Sequence, residues 1–203
     1  ETPADADVTK AHGWVFEVPA RETGLVKPEP LTAMGRFDHE AVCVDPGTGV
    51  VYLTEDRSDG LFYRFIPTTP GRLAEGGRLQ AMALKDAPSA DTSNRTQRLW
   101  AVGDWREVEW IDMEDVHSPN DDLRMRGHAA GAALVSRGEG VFWGEGELYL
   151  TATSGGPIER GQILRYQPAG EDGGRVQLFV ESTDEKAPVS YTHLRAHETP
   201  EHL

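Results

Sequence analysis

Short runs in which apolar and polar residues alternate recur along the chain, and each predicts a β-strand. Three runs share one outline: a glycine, an apolar stretch around a single charged residue, and a closing proline. They occupy residues 13–19, 60–67 and 161–168. A proline suits the end of a strand because it has no N–H to donate to a neighbouring strand. The spacings, about 50 and about 100 residues, match one and two periods of a β-propeller repeat.

A second pair of patterns precedes two of these runs. Val-Tyr-Leu-Thr ends at residue 54 and Leu-Tyr-Leu-Thr ends at residue 151, and each follows a glycine-rich turn. The apolar residues 41–44 and 140–143 lie before those turns. Each unit therefore reads as strand, turn, strand, glycine-rich connection, strand.

The rest of the pattern is weaker. Strands are predicted at 79–84, 99–102 and 108–111, a long loop over 69–97, and a short helix or irregular connection within 121–133. The predicted fold is all-β, a partial β-propeller of about three to four blades. A β-sandwich is the alternative, although a sandwich need not contain a repeat.

Two glutamates occupy the same position in the two predicted hairpins. Counting outward from the turns places Glu40 opposite Thr54 and Glu139 opposite Thr151. The same count places His39 opposite Glu55. The counts start from two pairs taken to flank the turns: Val44 with Val50, and Trp143 with Glu147.

Equivalent positions of different blades converge at one end of a propeller axis, so Glu40 and Glu139 are expected to lie close together. Two such carboxylates repel unless a cation neutralises them, and hard cations such as Ca²⁺ bind several carboxylate oxygens. Asp56, Glu55 and His39 are expected at the same rim, and Asp56 is a third candidate metal ligand. Arg137 precedes Glu139 by two residues and could hold a phosphate or carboxylate group. The alternative is a set of charged strand ends facing solvent.

Composition narrows the classes of function. The 203 residues carry a formal charge of −14, which argues against nucleic acid or an anionic membrane surface as the main partner. A single cysteine, Cys43, excludes an internal disulfide framework. No apolar run approaches the length of a membrane span. The sequence contains no Walker A loop, no dinucleotide-binding glycine motif and no Gly-x-Ser-x-Gly motif of a serine hydrolase.

The motifs together resemble those of the PhoX-type alkaline phosphatases. The resemblance rests on residues 34–57 and 60–67, on Arg-Gly-Glu-Gly at 137–140, and on residues 149–156 and 161–168. It implies a six-bladed propeller that is exported to the periplasm or the cell exterior, is monomeric, and hydrolyses phosphate monoesters with Ca²⁺ and Fe³⁺. It also implies that Glu40 and Glu139 bind metal and that Arg137 contacts the phosphate.

The chain departs from this family in two respects. The family's iron-binding cysteine has no counterpart here, since Cys43 does not match it. Residues 188–203 resemble a translated sequencing adapter, so the predicted organisation is a partial propeller over 1–187 and a non-native tail over 188–203. The chain is therefore expected to be an inactive fragment of a phosphomonoesterase. The alternative is a non-catalytic, calcium-stabilised propeller that binds a ligand or partner.

Overall fold

The fold is known from a computed structural model that describes residue 10, residues 12–170 and residues 173–189. Nine strands form one antiparallel sheet in the order β1-β2-β3-β4-β5-β9-β8-β7-β6. The strands are β1 His39–Val44, β2 Val51–Glu55, β3 Phe62–Pro67, β4 Gly77–Leu84, β5 Trp105–Asp112, β6 Gly138–Gly144, β7 Glu147–Ala152, β8 Gln162–Pro168 and β9 Gly174–Glu181. One helix, α1 Leu123–Ala129, and short 3-10 turns at Thr32–Met34 and Leu73–Glu75 accompany them. The predicted all-β, propeller-like class is confirmed.

The sheet consists of two four-stranded meanders of the size of a propeller blade. β1–β4 form the first unit and β6–β9 form the second unit. β5 pairs with both β4 and β9, so the two units share one continuous sheet rather than forming separate blades. The sheet curls until its two end strands, β1 and β6, lie side by side. This curl brings the first hairpins of the two units together.

Both hairpins contain the same irregularity. Next to the turns, Val44 pairs with Val51 and Gly144 pairs with Glu147. The predicted starting pairs were therefore wrong by one residue on the second strand. The register then shifts at a β-bulge in each hairpin, and after the first bulge His39 pairs with Glu55 as predicted. A bulge sets two residues against one, which compensates the one-residue error.

The first turn is one residue longer than predicted and the second is one residue shorter. In the second hairpin only Glu145 and Gly146 connect the strands, both with positive φ, as a tight hairpin turn requires. In the first hairpin the turn is longer because Asp45 organises it. The Asp45 carboxylate accepts hydrogen bonds from Gly47 N at 2.8 Å and from the Thr48 hydroxyl at 2.7 Å.

Most predicted strands are confirmed, and two are wrong. The runs at 60–67 and 161–168 form β3 and β8, and those at 79–84 and 108–111 lie in β4 and β5. Residues 13–19 contain only an isolated bridge between Phe16 and Pro30. Residues 99–102 form no strand. The alternating run that becomes β9 was not predicted, although its pattern is as clear as that of β8.

Two apolar cores hold the units. The first core lies between the units and combines side chains of both, among them Tyr52, Phe62 and Leu164. The second core lies beneath the opposite face of the first unit, where Met34, Phe37 and Leu123 of α1 cover it. The first unit is thus covered on both faces.

The predicted boundary between the partial propeller and the tail, at residues 187–188, lies just before a buried residue. Val189 is buried beside Ile163, and its N–H donates to the Arg160 carbonyl at 2.6 Å. Residues 190–203, which make up most of the predicted tail, lie outside the described residues.

Candidate functional site

The two bulges lie next to each other and are joined by one buried hydroxyl. Thr54 Oγ1 accepts a hydrogen bond from Ala41 N at 3.0 Å and donates to the Glu139 carbonyl at 2.7 Å. The hydroxyl of the equivalent residue in the second unit, Thr151, donates within its own hairpin, to the Gly140 carbonyl at 3.3 Å. Thr54 therefore fixes the backbone of Glu139 relative to the bulge that carries Glu40.

Arg137 and Asp56 form a two-point ion pair at this junction. Arg137 Nε donates to Asp56 Oδ1 at 2.7 Å and Nη2 donates to Oδ2 at 3.0 Å. Nη2 also reaches Glu139 Oε1 at 3.3 Å. The Arg137 side chain is about half exposed, with 46% of its surface accessible, whereas Glu139 is largely shielded. The predicted site residues Arg137, Asp56 and Glu139 are in direct contact.

The Arg137 backbone is held in an unusual conformation. Its φ is 54°, a left-handed value that side chains other than glycine rarely adopt. Hydrogen bonds on both sides maintain it: Arg137 N donates to the Arg57 carbonyl at 2.8 Å, and its own carbonyl accepts from Thr153 N at 2.9 Å. The Thr153 hydroxyl donates to the same carbonyl at 3.3 Å. The guanidinium is thereby aimed at the rim by a fixed backbone.

Electrostatics reflect the crowding of carboxylates. Burial raises the pKa of the Glu139 carboxyl above its ordinary value, and the negative charges of Asp56 and Glu40 raise it further. The hydrogen bond and charge of Asp56 raise the pKa of Arg137. Glu40, although exposed, is close enough to act on both groups. A cation shared by Glu40 and Glu139 stays a prediction.

Two residues expected at the same rim face the interior instead. The His39 ring packs against Phe37 with a centroid distance of 3.6 Å, and its Nε2 lies 3.1 Å from the Gly35 carbonyl. Burial lowers the pKa of His39 to about 4. Glu55 is fully buried and accepts hydrogen bonds from Leu61 N and from the Tyr63 hydroxyl, both at 3.0 Å. Both side chains therefore lie in the interior below the site and are not part of the rim.

The rim brings together the guanidinium of Arg137 and three carboxylates, those of Asp56, Glu139 and Glu40. A guanidinium that engages both oxygens of a carboxylate can engage two oxygens of a phosphate in the same way. In the part of the chain that the structure describes, no group of three or more His, Cys, Asp or Glu side chains is arranged to hold a metal ion. One reason is that Asp56 directs both oxygens to Arg137.

Sequence reasoning missed two residues that organise the rim, Thr54 as a bridge and Thr153 as a support. Thr54 was placed opposite Glu40 but was given no role. The repeated Tyr-Leu-Thr ending of both hairpins was the available signal, because the threonine recurs where the bulge needs a hydroxyl. Thr153 had no recognisable signal, since it contacts Arg137 only through the fold.

These features define an all-β, propeller-like protein with an arginine and several carboxylates gathered where two repeated hairpins meet. A family model described as alkaline phosphatase PhoX matches residues 3–199, nearly the whole chain. The chain therefore belongs to the PhoX alkaline phosphatase family. No curated protein matches the sequence.

A solved structure shares the fold. The chain is similar to Pseudomonas fluorescens PhoX in complex with vanadate, a transition state analogue, with a TM-score of 0.59 and 22% sequence identity. The match covers 83% of this chain and 35% of that one, so this chain spans about a third of its length. Among the described residues, no helix is long and apolar enough to cross a membrane.

Proposed function

We propose that the protein to which this chain belongs hydrolyses phosphate monoesters, and that Arg137 contacts the phosphate group of the substrate. The observation that carries the proposal is the two-point pairing of Arg137 with Asp56 at the rim. The Asp56 carboxylate presents two oxygens to the arginine fork, as a phosphate would. Membership of an alkaline phosphatase family supports phosphate as the natural occupant of that fork.

The surroundings of Arg137 support a role in stabilising charge. In phosphoryl transfer, negative charge develops on the equatorial phosphoryl oxygens, and a fixed guanidinium stabilises it without reorganising. Arg57 and Thr153 hold the Arg137 backbone, so the fork is positioned before a substrate arrives. Within this chain, binding and orientation of the phosphate are therefore the steps assigned to Arg137.

Metal dependence is part of the same proposal, with Glu40, Glu139 and Asp56 as candidate ligands of Ca²⁺ and Fe³⁺. Bound metal ions would polarise the phosphate and activate a nucleophile. The raised pKa of Glu139 supports a place for a cation, since a cation would relieve the repulsion. The described residues do not fit a complete calcium and iron cluster, because Asp56 is paired with Arg137 and no three-residue group is present. We assign no reaction step to these ions.

The proposal extends to cellular location and assembly. We propose that the protein is exported to the periplasm or the cell exterior and acts as a monomer, consistent with a family whose members are generally exported. The residues of this chain alone are proposed to be inactive, because the candidate metal site is incomplete within them.

Hydrolysis of an aryl phosphate by the intact protein that contains this chain, with and without a chelator, tests the proposal. Arg137→Ala should lower kcat/KM by about 100-fold or more, and Arg137→Lys should restore only part of the loss because lysine lacks the fork. Arg72→Ala, which removes an exposed arginine paired with Glu75 elsewhere on the surface, is the matched control and should change little.

Two results would contradict this assignment. Turnover that survives chelation would exclude the metal ions from the reaction. A rate unchanged in Arg137→Ala would exclude Arg137 from it. Calcium-dependent stabilisation without any turnover would instead support the non-catalytic binding module.

A further inference from the structure

The loop between β4 and β5 lies at the rim end of the sheet. Because neighbouring strands run in opposite directions, β4 ends and β5 begins at the end of the sheet where β6 begins and β7 ends. Residues 85–104 connect β4 to β5. This loop therefore shares one end of the sheet with Arg137, which directly precedes β6.

Buried residues in the middle of the loop fix it to segments of the second half of the chain. Residues 92–94 are each at most 5% exposed. The Thr92 hydroxyl donates to the carbonyl of Leu134, which lies shortly before β6, at 2.7 Å. Gly156 N, between β7 and β8, donates to the Ser93 carbonyl at 2.7 Å. The next side chain along the loop therefore extends from a fixed backbone.

That next side chain, Arg95, reaches the segment that carries the rim. Arg95 Nε donates to the Ser93 hydroxyl oxygen at 3.2 Å, and Nη2 donates to the carbonyl of the exposed Ser58 at 3.4 Å. Arg137 N donates to the preceding carbonyl, that of Arg57, at 2.8 Å. The guanidinium of Arg95 and the backbone of Arg137 are thus held by two consecutive carbonyls, which places Arg95 beside the rim.

The charge of Arg95 is not neutralised as the charges of the neighbouring arginines are. Arg57 Nε lies 3.2 Å from Asp38 Oδ2, and Arg137 is paired with Asp56. Within the part of the chain that the structure describes, Arg95 forms no ion pair and contacts only a hydroxyl and a carbonyl oxygen. These neutral acceptors leave its positive charge in place. They also leave the Nη1 group and one hydrogen of Nη2 available to a ligand.

As a refinement that rests on the proposed phosphatase function, we propose that Arg95 forms a second anion subsite of the active site. Arg137 binds the phosphate that is hydrolysed, and Arg95 binds a carboxylate or phosphate group on the leaving alcohol. The free edge of a guanidinium, formed by its two terminal nitrogens, can donate two parallel hydrogen bonds to either group. The preferred substrates are therefore phosphate monoesters whose alcohol carries a second anionic group.

A purely structural role is the alternative for Arg95, and a nearby pair shows what such a role involves. Arg106, on β5, pairs with Asp86 at 2.6 Å and so holds the start of the loop. A carboxylate partner strengthens a contact of this kind. Arg95 has no such partner among the described residues, although Asp and Glu outnumber Lys and Arg by 34 to 20 in this chain. Its charge is therefore better explained by a ligand than by the loop.

The two arginines also have a fixed separation, because neighbouring carbonyls of one segment hold both. A fixed pair of binding groups favours ligands whose two anionic groups are separated by a matching distance. Among phenyl phosphates that carry a second anionic group, one ring position should therefore be preferred over the other two.

The experiment compares esters in the intact protein that contains this chain. The substrates are phenyl phosphate, its ortho, meta and para carboxy derivatives, and the corresponding phosphono derivatives, whose carbon–phosphorus bond is not hydrolysed. Arg95→Gln removes the charge but can still hydrogen-bond to the loop, and Arg95→Lys keeps the charge without the fork. Arg98→Gln, at an exposed position of the same loop, is the control for the change in net charge.

We expect Arg95→Gln to lower kcat/KM for the preferred isomer about 10-fold more than for phenyl phosphate, since hydrogen bonds between charged groups are the stronger ones. Arg95→Lys should keep part of the preference, and Arg98→Gln should leave it unchanged. A larger effect on the phosphono than on the carboxy derivative identifies a phosphate as the second group, and the reverse identifies a carboxylate. An equal effect of Arg95→Gln on all esters, or no effect, would overturn the proposal.

Binding separates this proposal from the proposed function. If the intact protein hydrolyses none of the esters, the phosphatase assignment fails, and calorimetric titration with phenylphosphonate and its carboxy derivatives tests the subsite alone. Tighter binding of one carboxy derivative that is lost in Arg95→Gln would support the second anion subsite. Equal binding of phenylphosphonate and all its carboxy derivatives would overturn it.

Discussion

Arg137 donates hydrogen bonds to both carboxylate oxygens of Asp56, although 81 residues separate the two in sequence. The pairing joins the segment after β2 to the segment before β6, and so ties the two units together at the rim. In this pair, the arginine that could bind a phosphate is neutralised by a carboxylate that is itself a candidate metal ligand. Either an incoming phosphate or an incoming cation must compete with this contact.

Asp56→Asn tests that competition. Removing one negative charge and one charge-assisted hydrogen bond should free the Arg137 fork, so inorganic phosphate should bind the chain several-fold more tightly, by about 1 kcal/mol. NMR of the Arg137 Nε–H group during a phosphate titration measures this. Asp86→Asn, which releases Arg106 at a distant exposed pair, should not increase phosphate binding at Arg137. An unchanged affinity in Asp56→Asn would mean that Arg137 is not the phosphate contact.

Thr54→Val should loosen the junction of the two hairpins. The substitution keeps the shape of the side chain but leaves the Ala41 N–H and the Glu139 carbonyl without this partner, at a cost of about 1–3 kcal/mol in the free energy of unfolding. Thr151→Val is the matched control, since its hydroxyl makes one longer bond within its own hairpin. Urea unfolding compares the two. Equal losses would show that the bridge between units adds nothing.

Gly60→Ala should displace the segment that carries Asp56. A Cβ at this position would lie 2.7 Å from the Glu55 carbonyl and 2.9 Å from the Arg57 carbonyl, and backbone atoms have little room to move. We expect a loss of about 1–3 kcal/mol in thermal or urea unfolding. Gly24→Ala, where nothing lies within 4 Å, should remain within about 0.5 kcal/mol of the original chain. A neutral Gly60→Ala would contradict the close packing beneath the rim.

Glu147 should contribute to stability in a pH-dependent way. Its hydrogen bonds to Arg165, Gln167 and Tyr149 lower its pKa from 4.5 to about 2. Because the folded-state pKa lies below the unfolded value, the contribution is present above pH 4.5 and is lost as the pH falls towards 2. The stability difference between the original chain and Glu147→Gln should therefore shrink across this window in thermal unfolding. Glu145→Gln, at the exposed turn, is the control, and a constant difference for Glu147→Gln would refute the assignment.

The repeated hairpins and most of the strands are predictable from the sequence, although β9 is not. Short apolar runs bounded by turn residues mark β1–β4 and β7–β8, and the recurrence of Glu40 at Glu139 follows from their repetition. The convergence of Arg137, Glu139 and Asp56 was predictable for the same reason, since equivalent strand ends meet at one end of a closed or curled sheet. The motif resemblance to the PhoX family also came from the sequence, and the family match confirms it.

The contacts that these residues make depend on the three-dimensional packing of the strands. The bulges that correct the register, the inward turn of His39 and the burial of Glu55 depend on packing between elements distant in sequence. The two hydrogen bonds from Arg137 to Asp56 accompany a left-handed backbone at Arg137, which is hydrogen-bonded to Arg57 and Thr153. The local sequence pattern shows which side of a strand is apolar. The elements that pack against that side depend on the fold of the whole chain.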